Sequence, residues 1–349
     1  MGRSLFISSF RKLPRGVTWL LVYFFILEIG VRFLWDPRII GEQWYRICPS
    51  YDYGYDYTKP LFYGRGGNLT CYPTQYCELY RQSLPGNKTA REFRIFVFGS
   101  SVARGTPSCN FPLMVGEELH RGFPRIYWHV NNFSVPGYGS TRMALLLKKA
   151  IRYGPDVIII AVHGSNEYED ERDLAYAKAV NAGFNRILCA SHCIVLTKKI
   201  FPSLFPSENT LPSTGEDEPA ASRKSENLKR WGSSINKNLD DMIAAARARH
   251  IPVVLMGRAM RDYGKDPFES ARTDTINNSI KNHSRSGDVL YFDTQSVLSG
   301  YIPPAGRHNP ALFQDTSHLT EEGHRRIARA LYELIARHLS AGPHPGTAG

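Results

Sequence analysis

The sequence predicts an α/β fold in which helices cover both faces of a five-stranded parallel sheet. Short segments rich in β-branched and aromatic residues alternate with longer helical segments from residue 93 onward. This alternation is typical of parallel strands joined by helices. In addition, Gly, Ser, Asn, Asp and His residues follow several predicted strands. Ligands bind at the carboxyl ends of such strands, so we expect one common site there.

The N-terminal segment has the pattern of a membrane anchor. Four Lys and Arg residues precede the apolar residues 17–35, which are just long enough to span a bilayer as a helix. Glu28 and Arg32 interrupt this run four residues apart, so they could pair on one helix face. We expect residues 1–35 to form a cytoplasmic tail and an uncleaved transmembrane helix, with the rest of the chain extracytoplasmic. The alternative is a buried or interfacial amphipathic helix.

All six cysteines follow the apolar run. An even number of cysteines in an exported domain indicates disulfide bonds, although the sequence does not give their pairing. The spacing of Cys189, His192 and Cys193 could instead belong to a metal site, but no second matching pair exists, and we expect no metal. The cysteines are Cys48, Cys71, Cys77, Cys109, Cys189 and Cys193.

The chain then divides by composition. Residues 36–92 are rich in Tyr, Gly and Pro and are predicted to form an extension with short strands, packed on the main domain. The main domain is predicted to cover residues 93–340 and to be followed by a disordered tail, 341–349. Residues 202–226 have the composition of a linker; since the alternation resumes after them, we interpret them as a flexible insertion.

Five segments of the main domain have the composition of strands, and helical segments lie between them. The clearest strand contains four consecutive β-branched residues, as expected of a parallel strand buried on both faces. The predicted strands are 93–98, 125–130, 156–162, 251–256 and 288–292. The predicted helices are 111–120, 141–152, 170–183, 228–250 and 320–339.

The residues after the strands indicate nucleophilic catalysis. Ser101 follows the first strand, and Asp315 and His318 follow the fifth. A serine becomes nucleophilic when a base removes its proton; His318 is the predicted base, and Asp315 would fix the tautomer of its ring. The backbone N–H groups of Ser101 and Gly137 and the side-chain amide of Asn166 are predicted to form an oxyanion hole.

Four sequence blocks in this order resemble those of the SGNH hydrolase superfamily, also called GDSL-like esterases. The blocks are 98–105, 131–137, 164–167 and 315–319. The resemblance covers residues 93–339. It implies a flavodoxin-like three-layer α/β/α sandwich, an acyl-enzyme formed on Ser101 with Asp315 and His318 completing the triad, and no metal or organic cofactor.

The chain departs from the family pattern at two positions. Ser100 stands where the family usually has Asp, which makes Ser100 a rival nucleophile. We prefer Ser101, because the family places its serine two residues after the glycine, here Gly99. Glu167 replaces the usual Asp beside Asn166. We include Ser100 and Glu167 among the candidate substrate-binding residues.

Three further residues are candidates for substrate contact. Arg104 lies one turn after Ser101 and could bind an anionic acyl or sugar group, or it could solvate the helix. His163 precedes the third block, where it could line the pocket or serve a structural role. Arg258 follows the fourth predicted strand.

The net charge of the chain narrows the classes of partner that it is expected to bind. Lys and Arg number 43 against 32 acidic residues, giving +11, which suits an anionic glycan or a phospholipid surface. We expect no nucleic-acid partner, because no dense basic stripe or binding motif is present. The expected activity is serine-dependent removal of acyl groups, acetyl foremost, from a surface or exported glycan. An O-acyltransferase would use the same residues, and a catalytically silent glycan-binding protein is the alternative of another class.

Overall fold

The computed structural model describes residues 14–34, 61–65, 67–71, 82–163, 166–171, 174, 191, 193–194, 196–197, 201, 221–285, 287–299 and 311–341. The chain forms two compact units. One consists of Met1–Tyr53 with Tyr176–Thr214, and the other of Gly54–Ala175 with Gly215–Gly349. The second unit contains both β-sheets and all the predicted site residues.

The first unit contains helix α1, Arg15–Leu34. Glu28 is a buried residue of this helix, and its carboxylate accepts hydrogen bonds from the hydroxyl of Ser191 (2.8 Å) and the backbone N–H of Cys193 (3.0 Å). Within the described ranges, no helix combines the length and the apolar character needed to cross a membrane, so the transmembrane anchor predicted at 17–35 is not found.

The disulfide prediction is wrong for Cys109, which carries a free thiol. Its backbone exchanges two hydrogen bonds with Thr106, of 2.9 and 3.2 Å, and this tight turn fixes its position. The side chains of four other cysteines lie outside the described residues: Cys48, Cys71, Cys77 and Cys189.

The second unit begins with a small antiparallel sheet and continues with the main sheet. The small sheet has the order β1-β2-β3, and the main sheet is parallel throughout, in the order β5-β4-β6-β7-β8. The five-stranded parallel sheet of the sequence analysis is therefore confirmed. The strands are β1 Phe62–Arg65, β2 Asn68–Cys71, β3 Gln82–Pro85, β4 Glu92–Gly99, β5 Tyr127–Asn132, β6 Val157–Ala161, β7 Val253–Met256 and β8 Val289–Phe292.

Helices cover both faces of the main sheet and give it three layers. Helices α4, α5 and α6 pack on one face, and α2, α3, α7 and α8 pack on the other. The helices are α2 Ser101–Arg104, α3 Phe111–Gly122, α4 Ser140–Ala150, α5 Ala221–Arg247, α6 Pro267–His283, α7 Thr294–Ser299 and α8 Glu321–Ala341.

The alternation of side chains along β4 explains the two cores. Phe96 and Phe98 point to one face and Ile95 and Val97 to the other, and all four are almost completely buried. Successive side chains of a strand point to opposite faces, so a central strand covered on both sides must be apolar at every position.

The small sheet packs against the end of β5. Phe62 packs edge-on against Phe133, with ring centroids 5.8 Å apart. The side chain of Gln82 accepts a hydrogen bond from the backbone N–H of Asn132 and donates one to its carbonyl, both at 2.6 Å. The extension is thus fixed beside the strand that leads into Gly137.

Two helices and several element boundaries differ from the sequence prediction. The sequence does not predict α6 or α7, because neither carries a clear apolar period; the buried residues of α6 are Thr273, Ile276, Ser279 and Ile280. Strand β5, Tyr127–Asn132, lies two residues later than the predicted strand 125–130. Helix α5 begins at Ala221, inside the predicted insertion 202–226, whose remaining residues from 202 to 220 lie outside the described part. The helix predicted at 170–183 begins earlier, at residue 167; within the predicted range residues 170, 171 and 174 are helical, and the others lie outside the description.

Candidate active site

Loops at the carboxyl ends of the strands bring the predicted catalytic residues together. Ser101 begins helix α2 directly after β4, and Asp315 and His318 lie in the loop before α8. The Nε2 atom of His318 lies 2.9 Å from Oγ of Ser101, and its Nδ1 atom lies 2.6 Å from Oδ2 of Asp315. In the tautomer that satisfies both contacts, Ser101 donates to Nε2 and Nδ1–H donates to the carboxylate. A hydroxyl, an imidazole and a carboxylate connected in this order can activate the serine.

The carboxylate of Asp315 is held in its ionised form. Burial by itself would raise the pKa of Asp315, but hydrogen bonds oppose this. Oδ1 accepts the backbone N–H groups of His318 and Ser317, both at 2.8 Å, and Oδ2 accepts from the imidazole. Together they lower the pKa to about 2. Asp315 can therefore orient the ring and stabilise its charged form across the neutral range.

The turn between β4 and α2 selects Ser101 as the residue that meets His318. A Cβ on Gly99 would lie 2.6 Å from Cβ of Ala103, so the tight turn requires a glycine there. Ser100, the rival nucleophile, is 1% exposed, and its Oγ has no hydrogen-bond partner among the described residues. The hydroxyl of Ser100 thus points into the protein, whereas that of Ser101 is directed to the histidine.

Gly137 and Asn166, two of the residues predicted to form the oxyanion hole, both lie next to a third residue, Glu169. Gly137 has φ +73°, which a residue with a side chain rarely adopts, and its missing Cβ leaves space beside Glu169. Within the described ranges, the backbone N–H groups of Ser101 and Gly137 make no hydrogen bond. The amide Nδ2 of Asn166 donates to Oε2 of Glu169 at 2.5 Å. A carboxylate therefore occupies the edge of the predicted hole.

A buried ion pair fixes the loop that contains Gly137. Arg142 and Asp170, with side chains 1% and 3% exposed, are joined through Nε and Oδ1. Arg142 also donates through Nη2 to the carbonyl of Gly137, and its guanidinium lies 4.5 Å from the ring centroid of Tyr138. Asp170 accepts the backbone N–H of Gly139 (2.9 Å). The ion pair between Arg142 and Asp170 thus fixes the main chain around Gly137, which is part of the predicted oxyanion hole.

Glu167 faces helix α4. Its carboxylate accepts hydrogen bonds from the backbone N–H (2.6 Å) and the hydroxyl (2.9 Å) of Ser140. Burial, with the negative charge of Asp170 adding to it, raises the pKa of Glu167 to about 8. The residue is 2% exposed, so the structure places it beneath the site and not in contact with the space above Ser101. It connects the segment of Asn166 to the first turn of α4.

Of the other predicted substrate-binding residues, His163 and Arg258 are buried, whereas Arg104 lies at the end of a helix. His163 and Arg258 follow β6 and β7, are 7% and 4% exposed, and line one pocket with Val102 and Ser317. Burial, with the positive charges of Arg258 and His318 adding to it, holds the pKa of His163 well below its ordinary value. Arg104 is half-buried and ends helix α2.

Several residues that shape the site are missed by sequence reasoning. Glu169 and Asp170 belong to an acidic run just after the third block, which could have drawn attention to them. Arg142 gave no signal, because an arginine in an apolar helix is normally assigned to its exposed side. His324 is buried and packs against Phe111 with ring centroids 6.3 Å apart, which no local pattern indicates.

The described ranges offer no metal centre: they contain no group of three or more His, Cys, Asp and Glu side chains that could hold an ion.

Comparison with known families gives an independent assignment. Residues 97–326 match the GDSL-like lipase/acylhydrolase family. The chain belongs to this family. The matched segment begins within β4 and includes Ser101, Gly137 and Asn166, which are predicted to form the oxyanion hole, and the Asp315–His318 loop. The SGNH resemblance of the sequence blocks is therefore confirmed.

Solved structures with a similar fold include two esterases. The acetylxylan esterase Axe2 from Geobacillus stearothermophilus is 15% identical over 70% of this chain and 94% of its own, with a TM-score of 0.44. The lipase Lip_vut3 from a goat rumen metagenome is 13% identical over 69% of this chain and 96% of its own, with a TM-score of 0.46. A search among curated proteins found no match. Similarity this low indicates nothing about the substrate of the present chain.

Proposed function

We propose that this protein is a serine esterase that removes small acyl groups, acetyl foremost, from hydroxyls of a glycan through an acyl-enzyme. The observation that carries the proposal is the chain of contacts from Ser101 through His318 to Asp315, at 2.9 and 2.6 Å. Membership of a lipase/acylhydrolase family supports the same reaction class.

The geometry suits a two-step mechanism. Oγ of Ser101 attacks the ester carbon while His318 takes the hydroxyl proton. The oxyanion of the tetrahedral intermediate accepts hydrogen bonds from the N–H groups of Ser101 and Gly137 and from the amide of Asn166. When the C–O bond breaks, His318 gives its proton to the departing oxygen of the sugar, which leaves as a free hydroxyl. Water, deprotonated by His318, then attacks the acyl-enzyme and releases the acid and free Ser101.

The shape and charge of the protein motivate the substrate class. The residues next to the nucleophile in the sequence are small, among them Gly99, Ser100 and Ala103, and so do not supply the large apolar side chains that would line a groove for a lipid chain. His318 and Asp315 have side chains 42% and 53% exposed, so a bulky glycan could reach the site. The net charge of +11 favours an anionic glycan. An extracytoplasmic location remains a prediction from the basic residues before the apolar run.

The second candidate is an O-acyltransferase, and the exposure of His318 and Asp315 is the observation that favours it. An open site admits a sugar hydroxyl as well as water, and a bound sugar would gain effective concentration over water. Both activities use Ser101, His318 and Asp315 in the same roles. A silent binding protein is disfavoured, because it would have no need of a hydroxyl, imidazole and carboxylate in hydrogen-bonded sequence.

The test offers the protein an acetylated oligosaccharide, with and without an unacetylated acceptor, and uses the Ser101→Ala variant as the control. Mass spectrometry follows free acetate and newly acetylated sugar. Acetate that appears only with Ser101 intact supports the esterase, and transfer to the acceptor identifies the transferase. If the folded protein gives neither product across acetyl, propionyl and butyryl esters, the proposal is wrong.

A further inference from the structure

A pocket of about 30 Å³ adjoins the catalytic residues on the side of β6 and β7. Its lining includes Val102, which follows the nucleophile, and Ser317, which precedes the catalytic histidine. His163, Arg258 and Thr294 also line it, and most of the remaining lining is apolar. A space of this size holds roughly two water-sized groups, since one water needs about 10–15 Å³.

Arg258 lines this pocket and carries two buried donor atoms that have no partner among the described residues. It is 4% exposed, and its Nη2 donates to Oε2 of Glu269 at 2.7 Å. Its Nε and Nη1 atoms have no partner among the described residues. Buried guanidinium N–H groups that lack an acceptor are costly, so two of them beside a cavity point to a ligand that supplies acceptor oxygens.

The charge around Arg258 is not balanced by its neighbours. The carboxylate of Glu269 also pairs with Arg272, through Oε1 at 2.7 Å, so two arginines share one negative charge. Burial holds the pKa of His163 well below its ordinary value, which keeps that ring neutral beside them. The pocket therefore has a positive wall that an anion would neutralise.

Thr294 adds a neutral donor to the same space. The residue is 5% exposed, lines the pocket, and its Oγ1 has no hydrogen-bond partner in the described part of the chain. A hydroxyl can donate to an anion as readily as a guanidinium N–H can. Arg258, just after β7, and Thr294, the first residue of α7, thus both line one small, mostly apolar cavity.

We propose that Arg258 and Thr294 form a buried site for a small carboxylate next to the catalytic serine. The identity of the ligand rests on the proposed function, since each turnover of an ester releases a carboxylic acid that ionises at neutral pH. The carboxylate comes either from this free acid product or from an acyl group that itself ends in a carboxylate. In both cases its oxygens accept from Nε and Nη1 of Arg258 and from Oγ1 of Thr294.

Binding is tested without reference to catalysis. The melting temperature of the full chain is measured with increasing sodium acetate, and sodium chloride keeps the ionic strength constant. Saturating acetate should raise the Tm by about 3 °C or more, because a ligand that binds only the folded state stabilises it. Arg258→Gln should abolish the rise. Arg261→Gln is the matched control: this arginine lies three residues later and pairs with Asp262 instead, so the rise should persist.

A second variant tests the site independently, in case Arg258→Gln does not fold. Thr294→Val keeps the shape of the side chain and removes one donor, and it should weaken acetate binding about tenfold. Equal acetate responses in the wild type, Arg258→Gln and Thr294→Val would overturn the proposal, as would the absence of any response in the wild type. Ser101→Ala should keep the full response, so the site can be present even if the proposed esterase activity is wrong.

Kinetics then identify the source of the carboxylate. If the free product binds, acetate inhibits ester hydrolysis by the wild type and inhibits Arg258→Gln at least tenfold more weakly. If the acyl group carries the carboxylate, esters with a terminal carboxylate on the acyl chain have a higher kcat/KM than acetyl esters, and Arg258→Gln loses the difference.

Discussion

Oε2 of Glu169 lies 2.5 Å from Nδ2 of Asn166 and 3.3 Å from the point where a Cβ on Gly137 would stand. The carboxylate therefore lies between two of the residues proposed to stabilise the oxyanion. Like charges at about 4 Å repel by about 4 kcal/mol at an effective dielectric constant of 20, and an open site screens part of this. Glu169 thus opposes the charge that develops on the substrate and competes for the Asn166 amide.

Neutralising Glu169 is expected to accelerate the reaction. Glu169→Gln keeps a carbonyl oxygen that can accept from Asn166 but removes the charge, and kcat should rise about tenfold, equivalent to about 1.4 kcal/mol. Steady-state kinetics on an activated acetyl ester measure this. Glu171→Gln is the control, since Glu171 pairs with Arg230 at the surface and should leave kcat unchanged. A fall in kcat for Glu169→Gln would mean that the charge orients Asn166 and does not inhibit.

Replacing Asp315 separates orientation of the base from folding. Asp315→Asn should leave the protein folded and lower kcat by several orders of magnitude, because an amide does not favour the tautomer that His318 needs. Since the pKa of Asp315 is about 2, its carboxylate stays ionised through the assay range and adds no step to the pH profile. Steady-state kinetics at neutral pH and circular dichroism measure the two effects. A folded Asp315→Asn variant that turns over at close to the wild-type rate would contradict the role given to Asp315.

The buried pair beneath Gly137 is expected to support both stability and turnover. Asp170→Asn leaves the charge of Arg142 without its counter-ion and should lower the free energy of unfolding by about 3–5 kcal/mol. Because Arg142 and Asp170 hold the main chain around Gly137, kcat should fall more than KM changes. Urea denaturation and kinetics measure the two effects. Asp241→Asn, which removes an exposed partner of Lys237, should cost less than about 1 kcal/mol; a similar small cost for Asp170→Asn would refute the role of the pair.

Acid sensitivity is expected to depend in part on His324. Burial, with the positive charge of His318 adding to it, lowers the pKa of His324 to about 4. The unfolded chain takes up this proton below about pH 6.5 and the folded protein does not, so stability is lost as the pH falls from about 6.5 to 4. Between pH 7 and 5 the loss from this residue is about 2 kcal/mol.

The variant His324→Phe removes this titration while keeping a ring against Phe111. Urea denaturation at pH 7 and pH 5 should show that the variant loses about 2 kcal/mol less than the wild type over this interval. His120→Phe changes an exposed histidine on α3 and should leave the wild-type loss unchanged. If the two variants respond alike, His324 is not the source of the acid sensitivity.

The sequence predicts the main sheet well because its strands are buried on both faces. Ile158, Ile159 and Ile160 are fully buried, so the whole segment had to be apolar and could be recognised. Helix α6 lacked such a signal, since two of its four buried residues are the polar Thr273 and Ser279. The hydrophobic residues of α1 gave the sequence the pattern of a membrane anchor. The contacts of Glu28 in this helix could not be predicted, because they are made with Ser191 and Cys193, which are far away in the sequence.

The residues of the candidate site likewise include some that the sequence predicts and some that it does not. Ser101, Gly137 and His318 could be predicted because each lies in a short block after a strand. The roles of Glu169 and Arg142 could not, because they arise from contacts between separate segments of the chain: Glu169 lies beside Gly137, and Arg142 pairs with Asp170. The unpartnered donors of Arg258 likewise become visible only in the folded structure. The spacing of residues in the sequence motifs predicts the reacting groups, whereas the charged groups around them are identified only from the packing of the folded protein.

Covalent labelling of the folded chain by a serine-directed organophosphonate tests the central claim most directly. The account predicts one label, located on Ser101 by peptide mass spectrometry. The label should disappear in Ser101→Ala and persist in Ser100→Ala, because His318 contacts only the hydroxyl of Ser101 among these two serines. A label on Ser100, or no label on a wild-type protein shown to be folded, would contradict the assignment of Ser101 as the nucleophile.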